Sequence, residues 1–221
     1  MSQFISVFDM LKIGVGPSSS HTLGPWRAAQ YFVAMVDAID LFESIDQIKV
    51  DLYGSLSLTG KGHATDIAIL LGLSGEDPEL IDVSRINKIV GIIRDSELLL
   101  LNRKRQVVLN NEDMKFHREF LPFHANGLTF RGFNKNQEIC RETYFSIGGG
   151  FVIQEDQQFQ KQSFKQVNFP YPIEKAKQLE DYCSQTGKDI SEIVWHNELE
   201  LRSKREIDTE LARIWETMLE C

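Results

Sequence analysis

The chain has 221 residues, 42% of them hydrophobic and 25% charged, which is typical of a soluble globular protein with one domain and part of another. A formal net charge of −8 argues against nucleic acid or an anionic membrane as a main partner, because both require a basic surface. Three scattered cysteines without a CxxC pair predict a reducing, cytoplasmic location. No signal peptide or membrane-spanning apolar run is apparent.

The first part of the chain alternates between helical and strand patterns. Apolar residues at three- and four-residue steps predict a helix from about Trp26, and Pro25 suits its first turn. Alternation over residues 48–53 predicts a strand. The apolar run 66–73 predicts a short buried helix, and a second helix is predicted over residues 82–90.

The middle of the chain is rich in short apolar segments separated by polar turns, a pattern typical of hairpins. The predicted strands cover residues 98–101, 107–109, 128–133, 139–147 and 151–153. The sequence therefore predicts an α+β domain with a mostly antiparallel sheet and helices over residues 1–155.

The composition changes after this domain. Glutamine-rich, polar sequence predicts a linker, assigned to residues 156–171. Residues 172–221 show helical periods and are predicted to form an all-α segment that begins a second domain. The apolar stripe of the last predicted helix, Arg205–Cys221, suggests a partner beyond residue 221 or a homo-oligomer.

The first candidate functional segment is residues 14–25, GVGPSSSHTLGP. Free N–H groups at a helix start attract anions, and the hydroxyls of Ser18, Ser19, Ser20 and Thr22 add donors beside His21. A carboxylate-binding turn is one interpretation. Ordinary helix capping is the other, although one hydroxyl would suffice for that.

The second candidate segment is residues 54–66, GSLSLTGKGHATD, between a predicted strand and a predicted helix. It differs from a phosphate-binding loop, because five residues separate Gly54 from Gly60 and Gly62 follows Lys61. His63 is placed to act as a general base or a hydrogen-bond donor, whereas a lone loop histidine is more often structural.

Three further features are weaker. His124 and Asn126 fit either a hairpin turn or one wall of a pocket. The triple glycine 148–150 fits a hinge or a close backbone approach. Asn197 lies on an apolar helical stripe and therefore needs a partner, either a ligand or a neighbouring backbone.

These segments together resemble the single-chain, iron–sulfur L-serine dehydratases, and the likeness runs over all 221 residues. The matching stretches are FDM at 8–10, PSSSHT at 17–22, YGSLSLTGKGH at 53–63, HANG at 124–127, YFSIGGGF at 144–151, NEL at 197–199, SKREID at 203–208 and WETM at 215–218.

The resemblance implies an N-terminal domain similar to an allosteric substrate-binding domain, followed by a helical catalytic domain. It implies a 4Fe-4S cluster in the helical domain and dehydration of L-serine to pyruvate and ammonia, in amino-acid catabolism and gluconeogenesis. Ser18–Thr22, Lys61, His124, Asn126 and Asn197 would then bind L-serine. His63, or next His21, would take its α-proton, and the sequence does not rank the two histidines.

The family's cluster cysteines lie in a later part of the catalytic domain, so no metal ligand is expected in this chain. Cys140, Cys183 and Cys221 are expected to be free thiols. The chain is expected to be a truncated chain, a fragment or one part of a split enzyme, inactive without the missing catalytic half. The alternatives are a stand-alone amino-acid-binding regulatory module and a degenerate fragment.

Overall fold

The structure is a computed structural model that describes residues 5–157 and 167–221. The chain divides into two compact units. An α+β unit starts at Gly14, and a helical unit combines the described residues 5–13 with residues 167–221. The α+β class and the C-terminal helical segment predicted from the sequence are confirmed.

Within the described residues of the α+β unit, seven strands form one mixed sheet. The strand bounds are β1 Gln47–Leu52, β2 Leu98–Leu101, β3 Arg105–Val108, β4 Met114–Phe116, β5 Gly127–Asn134, β6 Gln137–Gly148 and β7 Phe151–Gln154. The order is β2-β3-β1-β5-β6-β7, with β4 also paired to β1. Most pairings are antiparallel as predicted, but β1 pairs in parallel with β3 and β4.

The central strand β1 forms because its apolar residues alternate with polar ones. Ile48, Val50 and Leu52 are fully buried in a core that includes residues of the helices packed on this face. Asp51 is also largely buried, and it pairs with His117 and Arg131. This alternation fixes which face of β1 is buried against the core.

Helices pack against the sheet and complete this unit. The helix Val83–Ser96 is capped by the side chain of Asp82, and the buried helix Thr65–Leu73 is apolar nearly all round. Residues 54–59 are helical, whereas the sequence suggested a loop there. The bounds are α2 Gly24–Ala38, α3 Gly54–Thr59, α4 Thr65–Leu73 and α5 Val83–Ser96, with 3-10 turns at Phe42–Ser44, Gly60–His63, Asn111–Asp113 and Glu155–Gln157.

The helical unit contains the short N-terminal helix α1 Val7–Met10 with α6 Ala176–Thr186, α7 Ile190–Glu198 and α8 Lys204–Glu220. Capping boxes at Asp189 and Ser203 begin the last two helices. The sequence assigned residues 5–13 to the α+β domain, but they join the helical unit here. The predicted linker, 156–171, falls mostly outside the described residues.

Candidate functional site

The Ser18–Thr22 segment folds as a π-helical turn, Ser19–Leu23, that leads directly into α2. The hydroxyl of Ser18 accepts from the His21 N–H and so caps this turn. Among the described residues, the N–H groups of Ser19 and Ser20 have no protein acceptor, as expected for the first donors of a helix. The observed helical segment therefore begins several residues before Trp26, where the sequence predicted its start.

Two glycines, Gly24 and Gly54, allow the candidate segments to pack closely against one another. A Cβ at Gly24 would lie 1.9 Å from the Ser146 hydroxyl oxygen, which donates a 2.7 Å hydrogen bond to the carbonyl of Ser20. Gly54 has φ +54, and a Cβ there would lie 2.3 Å from the carbonyl oxygen of Ala125. Larger residues would push the turns apart, since neither neighbour has room to move.

The two histidines of the candidate segments lie side by side. Their ring centroids are 5.0 Å apart, with 38° between the ring planes. The Nδ1 atom of His21 is 2.8 Å from the Ser20 hydroxyl, and its Nε2 atom is 2.9 Å from the hydroxyl of Ser55. Both ring nitrogens of His21 thus have protein partners.

His63 is held differently. Its Nδ1 atom lies 2.9 Å from the carbonyl oxygen of Thr59, and a carbonyl can only accept a hydrogen bond. The proton of a neutral His63 therefore sits on Nδ1. The Nε2 atom carries the lone pair, and it has no protein partner among the described residues.

Two buried threonines join the backbones of these segments. Thr22 donates to the carbonyl of His63 at 2.8 Å, and Thr65 donates to the carbonyl of His21 at 2.5 Å. The hydroxyl proton of Thr22 is consequently used within the protein, although the sequence suggested it as a substrate donor. Thr65 was not recognised from the sequence, nor was Ser55, because single hydroxyls at helix starts usually act as caps.

The turn that contains His124 and Asn126 supports the Ser19–Leu23 turn. Asn126 is buried, and its side-chain amide donates to the Ser146 carbonyl at 3.0 Å. The Asn126 N–H donates to Nδ1 of His124, so the neutral ring of His124 carries its proton on Nε2. The N–H of Ser55 donates to the carbonyl of Ala125, which connects this turn to the partner of His21. Ser146, which lies in the matched stretch 144–151 but received no role from the sequence, is fully buried.

The two imidazoles differ in electrostatics. Burial, and next the neighbouring charge of His63, lower the pKa of His21 from its usual value, although a hydrogen bond from the imidazole to the Ser55 backbone opposes the shift. His21 therefore favours its neutral form near neutral pH.

Lys61 and Ser19 are exposed. The Lys61 ammonium lies 5.1 Å from the ring centroid of Phe116, at a cleft of about 250 Å³ that does not include either histidine of the pair in its lining. The ammonium is therefore placed against an aromatic face. Ser19 is the first residue of the Ser19–Leu23 turn.

Asn197 belongs to the helical unit, where it is fully buried. Its side-chain oxygen accepts from the Tyr171 N–H at 3.0 Å, and its amide donates to the Tyr171 carbonyl at 2.7 Å. A neighbouring backbone therefore provides the partner that the sequence required. The adjacent Glu198 was not recognised from the sequence and accepts from Ser6, Val7 and Arg202.

No group of three or more His, Cys, Asp or Glu residues suited to a metal occurs in residues 5–157 and 167–221. Cys140, Cys183 and Cys221 are free thiols. Burial raises the pKa of Cys140, which opposes the thiolate form that iron requires. The described residues thus do not fit an iron–sulfur cluster. None of the described helices has the length and apolar character to cross a membrane.

Comparison with known proteins shows close relatives over nearly the whole chain. It is 44% identical over 219 residues to L-serine dehydratase 1 of Escherichia coli, covering 98% of this chain and 48% of the relative. It is 40% identical over 220 residues to L-serine dehydratase of Haemophilus influenzae (98% and 48%), and 39% identical over 221 residues to that of Streptomyces coelicolor (98% and 49%). The chain spans about half the length of these relatives.

The family model described as serine dehydratase beta chain matches residues 6–157. This range contains all three turns around the histidine pair. The chain therefore belongs to the serine dehydratase beta chain family.

Proposed function

We propose that this chain forms the serine-binding half of an L-serine dehydratase. In this reaction L-serine loses its α-proton and its β-hydroxyl, and the resulting aminoacrylate gives pyruvate and ammonia. The supporting observation is the pair of adjacent imidazoles, 5.0 Å apart, within turns rich in hydroxyls and N–H groups. The proposal of serine as substrate is supported by the relatives that carry the name L-serine dehydratase.

The carboxylate of serine binds at the first N–H groups of the Ser19–Leu23 turn in this proposal. The N–H groups of Ser19 and Ser20 point away from the helix that they begin, and the helix dipole adds positive potential there. The exposed hydroxyl of Ser19 supplies a further donor. These contacts favour a small carboxylic acid without requiring a basic surface.

His63 is the proposed base. The contact between Nδ1 and the Thr59 carbonyl fixes the tautomer that leaves a lone pair on Nε2, and this atom has no partner among the described residues. The free Nε2 atom of His63 can therefore accept the α-proton of serine as a general base.

His21 takes a different role, since hydroxyls of Ser20 and Ser55 occupy both of its ring nitrogens. Its lowered pKa keeps it neutral while His63 gains a proton, which avoids two positive charges at adjacent rings. We therefore rank His63 ahead of His21 as the base.

We assign the 4Fe-4S cluster, and polarisation of the serine hydroxyl, to the half of the enzyme that this chain does not match. No described cysteine is proposed as a ligand, because the three thiols lie on separate elements. We place the activity in the cytoplasm, where such thiols remain reduced.

The test is reconstitution. This chain is combined, without oxygen and with iron and sulfide, with the unmatched half of a relative. Pyruvate should form from L-serine only when both parts are present. His63→Asn should lower kcat by roughly 10²- to 10⁴-fold. His196→Asn is the matched control, because both ring nitrogens of His196 have partners within the helical unit.

No pyruvate from a correctly assembled pair would contradict the lyase proposal. The stand-alone amino-acid sensor predicts something else. The isolated chain would bind L-serine in calorimetry, and His63→Ala would not affect catalysis by any assembly.

A further inference from the structure

We infer that Thr22 and Thr65 are positioning residues, whose crossed hydroxyl-to-carbonyl hydrogen bonds set the spacing of the His21 and His63 imidazoles. This pair of bonds is called the threonine latch below. Its geometry concerns this chain alone. Its importance for serine chemistry rests on the function proposed above.

The latch is reciprocal. Thr22 directly follows His21 and donates to the carbonyl of His63, whereas Thr65, two residues after His63, donates to the carbonyl of His21. The two donors are 3% and 0% exposed. Separation of the segments would leave both carbonyls without these partners, so the two bonds resist it.

Neither threonine serves as an ordinary cap. Thr65 is the first residue of α4, and Ala64 at the cap position makes no side-chain cap hydrogen bond. Ala64 has φ 56, a left-handed conformation that is unfavourable for an L-residue. The backbone therefore reverses between the acceptor carbonyl of His63 and the donor hydroxyl of Thr65, and the surrounding contacts must maintain this strain.

Packing also fixes both side chains. A Cβ at Gly16, which has φ +111, would lie 2.2 Å from Cγ2 of Thr22. A Cβ at Gly60 would lie 3.0 Å from Oγ1 of Thr65. Each threonine thus fits against a glycine, which limits rotation of its hydroxyl away from the opposite histidine.

The consequence is that two separate segments hold the histidine backbones together independently of the ring contacts. The ring of His21 contacts Ser20 and Ser55, and the ring of His63 contacts Thr59. Among the described residues, no direct hydrogen bond joins the two rings. The latch instead joins the threonine near each histidine to the backbone carbonyl of the other histidine. Loss of one bond should let the rings separate.

The test uses the full chain with ¹⁵N-labelled histidine. NMR titrations compare the unchanged protein with Thr22→Val and Thr65→Val, which remove the hydroxyl and keep the shape. In both variants the pKa of His21 should rise toward its usual value, because the His21 ring would be less buried and farther from the charge of His63. Thr22→Ser and Thr65→Ser should restore the original titration.

Thr143→Val is the matched control. Thr143 is also a buried threonine of the α+β unit, but its hydroxyl pairs with that of Thr129 in the sheet. It should leave the titration of His21 and His63 unchanged. Unaltered titrations of both histidines in both folded latch variants, or equal changes in the control, would overturn the inference.

A second measurement covers the case in which the valine variants do not fold. In the unchanged chain, the hydroxyl protons of Thr22 and Thr65 should exchange slowly with water and show proximity to the opposite histidine. Fast exchange of both protons would overturn the inference.

An activity arm separates this inference from the proposed function. In the reconstituted enzyme, Thr65→Val should lower kcat by roughly 10- to 100-fold with little change in KM, because a misplaced base affects the transition state more than binding. If no assembly makes pyruvate, the proposed function fails, while the NMR titrations still decide whether the latch exists.

Discussion

The two units of this chain bury very different kinds of groups. The residues of the main apolar core, from Trp26 to Tyr144, all belong to the α+β unit. In the described part of the helical unit, the buried apolar residues are Phe8, Ile193 and Ile207, and the buried polar ones are Ser6, Asn197 and Glu198. Its longest helix leaves Trp215, Met218 and Leu219 exposed.

This difference shows how the two units obtain their structure. Burial of apolar surface contributes about 25 cal/mol per Å², so the α+β unit has a large driving force of its own and can hold its turns in fixed positions. The helical unit depends more on a few satisfied polar contacts. The geometry of the histidine pair should therefore survive changes in the helical unit.

The largest effect is expected for Phe130→Ala. Phe130 is fully buried and stacks on Phe32 with ring centroids 5.1 Å apart. Truncation of a core phenylalanine costs about 3–5 kcal/mol of unfolding free energy, so hydrogen exchange throughout the α+β unit should accelerate. Phe151→Ala is the control, because that ring is 41% exposed. An equal loss in both variants would contradict the assigned core.

The next effect concerns Glu198→Gln. The buried carboxylate accepts from Ser6 at 3.0 Å, the Val7 N–H at 2.7 Å and Arg202 at 3.0 Å. Loss of its charge should destabilise the helical unit by about 2–3 kcal/mol, because charge-assisted bonds to a buried group are lost. Hydrogen exchange should rise in residues 5–13 and α7.

Glu180→Gln provides the comparison for this change. Glu180 is 69% exposed in its pair with Lys177, and exposed pairs contribute about 0–1 kcal/mol. Faster exchange around His21 and His63 in the Glu198 variant would show that the two units are not independent in stability.

The sequence predicted most of the fold because periodicity reports local burial. Alternation identified β1 and the hairpin strands, and the three-residue and four-residue steps identified α2. The parallel pairings of β1 with β3 and β4 could not be predicted, since they join segments more than fifty residues apart. The membership of residues 5–13 in the helical unit also depends on a distant residue, Glu198.

The site was predictable where several chemically similar residues cluster. The serine-rich turn and the glycine-rich segment pointed to His21 and His63, which the structure places side by side. Ser55, Thr65 and Ser146 act through single hydrogen bonds to distant groups. A single hydroxyl carries no signal of its partner in the sequence, so these residues could be found only from coordinates.

A smaller effect is expected from pH. The lowered pKa of His21 means that the folded state binds its proton less readily than the unfolded state. Stability should therefore fall as pH drops from the usual histidine pKa through the folded-state pKa, and show no such effect above that window. Chemical denaturation at several pH values should give a weaker acid dependence for His21→Asn. If the unfolding free energies of the unchanged chain and His21→Asn differed by the same amount at every pH in this window, the burial of His21 would be contradicted.

The smallest effect is expected for Met218→Lys. Met218 is 62% exposed on α8, and both residue types favour helix. The unfolding free energy of the chain should change by less than about 0.5 kcal/mol. A larger loss in denaturation experiments would mean that the apolar stripe of α8 already stabilises this chain.

The most direct test of the account is the tautomer of His63 at a pH where its ring is neutral. Long-range ¹H–¹⁵N NMR of the full chain should show the proton on Nδ1 and the lone pair on Nε2, whereas His124 should show the opposite arrangement. A proton on Nε2 of His63 would contradict its assignment as the base that meets the α-proton of serine.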